Sequence, residues 1–133
     1  MEFITVEQFK EQPKEVQKVF LDWWKPSVGD IFIFNTDEYD NSDSNIGVLG
    51  SIKQINITRR SKGKYRIPLF TEGQLRKFIE DKTGHKVDCC FYGEKYDINT
   101  CEDDGLYIKK YEDIDDDLLQ AYWKVACMVA KEG

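Results

Sequence analysis

Apolar positions along the chain change their spacing several times, and each change marks an element. Ile4-Thr5-Val6-Glu7-Gln8-Phe9 has the form of a helix start: Thr5 caps, Gln8 reaches back, and Ile4 can staple to Phe9. Pro13 suits the first turn of a second helical segment. Val16, Val19, Phe20, Trp23 and Trp24 then recur at three- and four-residue spacing until Pro26 stops it. Trp23 and Trp24 stand about 100° apart on a helix, so both are buried only if it is covered on two sides; otherwise one is an exposed anchor. Ile31-Phe32-Ile33-Phe34 is apolar on both faces, the pattern of a short central strand. Residues 35–45, rich in Asn, Asp and Ser, read as a loop. Ile46 to Ile57 reads as a second extended stretch, with Gly47 and Gly50 as bulge or bend sites.

Beyond it, Arg59, Arg60, Lys62, Lys64 and Arg66 surround Gly63, and Tyr65, Ile67 and Leu69 alternate, which predicts a basic turn between two antiparallel strands. The capping grammar of Thr5 recurs at Phe70-Thr71-Glu72-Gly73-Gln74-Leu75, opening a helix to about Lys82 that buries Leu75, Phe78 and Ile79 and ends before Gly84. Lys86 to Phe91, Lys95 to Thr100 and Leu106 to Tyr111 form a predicted three-stranded meander turning at Gly93 and near Gly105. A last helix follows, with Asp115 as its expected cap and Asp116 and Asp117 at its positive end. Its two stripes, Leu118-Tyr122-Val125-Val129 and Leu119-Trp123-Ala126-Ala130, predict deep burial. The expected fold class is α+β, an antiparallel sheet packed against N-terminal, central and C-terminal helices, in a single domain spanning residues 1–133.

Charge changes this picture more than composition does. Residues 1–66 carry ten basic and ten acidic side chains, whereas residues 67–133 carry nine and fifteen, the source of the net charge of -6. Most of the excess lies in two runs, Glu102, Asp103, Asp104 and Glu112, Asp113, Asp115, Asp116, Asp117. Such a surface repels nucleic acid and attracts basic partners. Hydrophobic residues make up 41 % and aromatics 14 %, a folded rather than a disordered acidic composition. The N-terminus carries no signal-peptide pattern and no window approaches a membrane span, so a cytoplasmic location is expected. There Cys89, Cys90, Cys101 and Cys127 are expected reduced, as small buried hydrophobes.

Candidate chemistries fare poorly. His85 with Cys89, Cys90 and Cys101 offers zinc-type donors, but adjacent cysteines on a strand point to opposite faces, so no knuckle forms. His85 is the only histidine, and no orienting group stands at a recognisable spacing for a Cys-His dyad. An EF-hand register beginning at Asp40 places Asn45 where Gly is needed and Ser51 where Glu is needed. Glu80 and Lys82 have a nuclease-like spacing but lie on a predicted helix. No catalytic residue, metal ligand or cofactor is therefore assigned.

The stretch from Ile67 through Thr71-Glu72-Gly73-Gln74 to Glu80, and the ending Asp117-Leu118-Leu119-Gln120-Ala121-Tyr122-Trp123-Lys124-Val125-Ala126, resemble small phage and prophage proteins of Gram-positive, clostridial-type bacteria. Glu15 to Pro26 shares in the resemblance. It implies a mobile-element setting and transfers no functional residues. The functional expectation is a non-catalytic accessory protein that binds and inhibits a host factor, in the manner of a nucleic-acid mimic, an anti-CRISPR-like inhibitor or another counter-defence protein. Its acidic runs would occupy a basic protein surface, with no direct nucleic-acid or membrane contact. The alternative is sequestration of a nucleotide-type small molecule by Arg59, Arg60, Lys62, Lys64, Tyr65 and Arg66, with Tyr65 stacking a base; a metal-dependent enzyme ranks third.

Overall fold

A computed structural model describes residues 2–34, 46–62 and 66–132. The fold is α+β, with five helices and two antiparallel three-stranded sheets among the described residues. Contacts group into two compact units: Thr5–Phe70, and Met1–Ile4 together with Thr71–Gly133.

The first unit holds α1 (Val6–Glu11), α2 (Lys14–Trp23), β1 (Ile31–Phe34), β2 (Ile46–Val48), α3 (Ile52–Ser61) and β3 (Arg66–Pro68). The capping box forms as the sequence predicts, Thr5 Oγ1 accepting from Gln8 N–H at 3.2 Å and Gln8 Oε1 from Thr5 N–H at 3.0 Å. β1 is central in the order β2-β1-β3, which explains why Phe32 and Ile33 are both buried.

The expected strand from Ile46 to Ile57 is corrected: β2 ends at Val48 and Ile52–Ser61 is helix. Ser51 Oγ accepts from Gln54 N–H at 3.2 Å, and Gln54 Oε1 accepts from Gly50 N–H at 2.6 Å. The helix is thus opened by a third Ser/Thr-x-x-Gln signature, which the apolar pattern hides. Thr58 is its only buried residue, while Ile52 and Ile57 face outward. The expected basic hairpin therefore does not exist in that form, because Arg59 and Arg60 lie in the last turn of α3. Gly47 is likewise no bend: it pairs opposite Phe32 inside the ladder. The loop over residues 35–45, and Gly63, Lys64 and Tyr65, fall outside the described residues.

The second unit holds α4 (Glu72–Thr83), β4 (Lys86–Phe91), β5 (Tyr96–Cys101), β6 (Tyr107–Asp115) and α5 (Leu118–Glu132). Its meander has the predicted order β4-β5-β6. Thr71 and Gln74 form the predicted capping box, and Gly84 ends α4 at φ 74, a left-handed position that suits glycine. α4 packs on α5, burying Leu75, Phe78 and Ile79, and nine residues of α5 are buried, in line with its double stripe. α5 lies over β5 and β6. Lys109 Nζ meets Glu132 and Lys124 Nζ meets Asp115, each at 2.7 Å. Alternation along the strands then places Asp88, Cys90, Asp97, Asn99 and Cys101 on the sheet face turned away from α5. Among the described residues no helix is long and apolar enough to cross a membrane.

Candidate functional site

The first acidic run sits on the tight turn joining β5 to β6. Glu102 N–H donates to Leu106 O at 2.9 Å, Gly105 N–H to Glu102 O at 2.9 Å, and Leu106 N–H to Asp104 Oδ1 at 3.1 Å. Gly105 takes φ 88 to close it. Glu102, Asp103 and Asp104 are exposed, and none forms a salt bridge among the described residues. They border a cleft of about 420 Å³ lined also by Gly84, His85 and Cys101. Leu106, Tyr107 and Ile108 follow directly and are 64 %, 45 % and 45 % exposed. One corner of the sheet therefore presents uncompensated carboxylates beside three consecutive apolar side chains.

The second run is placed elsewhere and used differently. Cys101 pairs with Tyr107 and Tyr96 with Asp115, so the two runs stand at opposite ends of β6, roughly 20–25 Å apart along an extended strand. Lys109 and Lys110 lie between them. They do not build one continuous track of negative charge. Asp113 adopts φ 52 within an irregularity of the β5–β6 ladder, its N–H held by Asp97 Oδ1 at 2.9 Å.

Asp115, the expected helix cap, instead ends β6. Its carboxylate accepts from Lys124 Nζ and from Asp117 N–H, and the Lys124 bond above all holds it below the usual carboxylate range. A carboxylate with a depressed folded pKa stabilises above the unfolded value of about 3.9 and loses that contribution as pH falls through the folded value. The cap is Asp117, whose Oδ2 accepts from Gln120 N–H at 3.0 Å, because α5 begins at Leu118 and not two residues earlier. Asp117→Ala is expected to cost about 1 kcal/mol, read by urea unfolding, while Asp115→Asn leaves the Gln120 cap bond intact.

On the face turned away from α5 lies a polar group that the sequence reading did not single out. Asn99 Nδ2 donates to Asp88 Oδ1 at 3.0 Å, and its Oδ1 is buried with no partner among the described residues. Asp88, with Cys90, pushes the Tyr107 phenol up to about 12. Cys90 chiefly raises Tyr92. Burial raises the Cys101 thiol and takes Cys127 to about 12. Thiols held protonated in this way are poor nucleophiles. Strand alternation of Asp88, Cys90, Asp97 and Asn99 was the available signal.

Cysteine burial is also corrected: Cys101 and Cys127 are buried, but Cys89 is exposed and Cys90 half-buried, since β4 is an edge strand. Among the described residues no three or more His, Cys, Asp or Glu side chains are arranged to hold a metal ion.

The cations of the alternative site are partly committed to the fold. Lys62 Nζ donates to Trp24 O at 3.0 Å. Arg66 donates to Thr58 Oγ1 at 2.6 Å, with its guanidinium 4.9 Å from the Phe32 ring centre and 5.3 Å from that of Phe34. Arg59 and Arg60 are exposed on α3, and Lys64 and Tyr65 lie outside the described residues. Neither Trp23 nor Trp24 is a free anchor: Trp24 is buried, and Trp23 packs edge-on to Phe70 at 5.8 Å.

No protein-family model, no curated protein and no solved structure matches the chain.

Proposed function

We propose that this is a binding protein without chemistry of its own, whose β5–β6 turn docks on a basic surface of another protein. The observation that carries this reading is the corner at Glu102–Ile108, where exposed carboxylates that form no salt bridge among the described residues adjoin exposed Leu106, Tyr107 and Ile108. The apolar side chains would supply the desolvated centre of a contact, and the carboxylates its selective rim. In the mobile-element setting that the sequence resemblance implies, occupying such a surface would inhibit a host factor. Lysines within β6 and internal pairing at Asp115 leave the second acidic run outside this contact.

The test compares capture of protein from an extract of the producing cells by the wild type, by the double variant Glu102→Lys/Asp103→Lys, and by Leu106→Ser. Both changes fall on exposed turn positions, so circular dichroism should stay native. Capture is expected to fall about tenfold or more in each, equivalent to about 1.4 kcal/mol, with the charge variant's deficit shrinking at high salt. Undiminished capture by both variants at low salt removes the proposal.

A further inference from the structure

β6 is the terminal strand of its sheet, and among the described residues no strand pairs with its outer edge. An exposed edge of nine residues is a template for another chain unless something blunts it. Adjacent lysines are a common guard, and Lys109-Lys110 looks like one. Here, however, two acids follow at the mirrored distance across Tyr111. Ile108-Lys109-Lys110-Tyr111-Glu112-Asp113-Ile114 is a palindrome in character: apolar, basic, basic, aromatic, acidic, acidic, apolar.

We infer that β6 pairs edge to edge with β6 of a second copy of this chain, antiparallel and centred on Tyr111, joining two three-stranded sheets into one of six strands. In that register Lys110 faces Glu112 of the partner copy and Lys109 faces Asp113, each twice by symmetry, and Ile108 faces Ile114. Other arrangements are penalised. Centring on Lys110 or on Glu112 opposes a charge to its own kind, and a parallel in-register pairing opposes every charge to its like. The same residues that repel foreign strands thus admit one partner in one register.

Local geometry says which pairs carry recognition. Register shifts in the β5–β6 ladder at Ile108 and over residues 112–114 leave Lys109–Tyr111 as the regular stretch, with Glu112 directly beyond it. Lys109 is already engaged by Glu132 on the α5 side. Lys110 and Glu112 are both exposed, and alternation from Lys109 puts Lys110 on the opposite face, its Nζ lying 5.1 Å from the Tyr107 ring centre. The Lys110–Glu112 pairs are therefore the specific contacts, and Tyr111, buried on the α5 side, keeps the centre of the edge rigid.

Sedimentation equilibrium tests this on the full chain, using Lys110→Glu, Glu112→Lys and their equimolar mixture. The wild type is expected as a reversible dimer from micromolar to millimolar concentration, weakened by salt. Each single variant places like charges opposite each other, and its dissociation constant is expected to rise at least about tenfold. In the mixture both altered pairs are again opposite in sign, so a heterodimer returns. A wild type that stays monomeric throughout, single variants that dimerise as well as the wild type, or a mixture that stays monomeric each overturns the inference. Capture through the β5–β6 turn does not use Glu112, so it survives in Glu112→Lys if only the dimer fails.

Discussion

Replacing Trp24 by alanine is expected to destabilise the protein by about 3–5 kcal/mol, a large share of what a domain of ordinary stability possesses. Trp24 is 1 % exposed and leaves α2 in an extended conformation, φ -64 and ψ 117, so its indole departs from the helical spiral. Its Nε1–H donates to Asp30 Oδ2 at 2.9 Å, the oxygen that also accepts from Ser27 N–H at 2.9 Å. Its carbonyl accepts from Lys62. Alanine keeps the carbonyl but leaves a ring-sized cavity and an Asp30 carboxylate with one donor fewer. Trp23, half-buried against the edge of Phe70, is expected to lose about half as much. Urea unfolding followed by circular dichroism measures both, and equal losses at the two positions would contradict the arrangement.

Gly47→Ala is expected to cost about 1–3 kcal/mol, although the backbone there is ordinary strand. A Cβ at position 47 would stand 2.8 Å from Phe32 Cζ and 3.1 Å from Cε1. The ring has nowhere to retreat: Phe32 is 4 % exposed, packs edge-on to Phe34 at 5.1 Å, and lies beneath Arg66. Combining Gly47→Ala with Phe32→Leu should recover part of the loss, because the smaller side chain yields the space. Additive losses in the double variant would show that the contact is not the cause.

Capping chemistry was the most legible feature of the sequence. Thr5-Gln8 and Thr71-Gln74 form the boxes their spacing predicts, Gly84 takes the left-handed position, and the meander turns where Gly93 and Gly105 allow positive φ. α3 was missed because its apolar residues obey no helical period, Ile52 and Ile57 being exposed. Only Ser51-Gln54 announced it, and with it went the basic hairpin. The acidic runs were plain as composition, but their separation was not. Seven residues lie between Asp104 and Glu112, short in sequence yet most of a strand's length when extended.

What the chain determined by itself is local and periodic: where most helices begin and end, and which strands of the meander turn back on each other. Tertiary structure alone decided which charges remain available. Asp115 is spent on Lys124, Lys62 and Arg66 on the first unit's own backbone and hydroxyls, and Asp117 on its helix, whereas Glu102 and Asp103 are exposed on a turn and form no salt bridge among the described residues. The reason is distance. Caps and turns close over three or four neighbouring residues, but the neutralisation of a carboxylate depends on side chains brought together from remote parts of the chain.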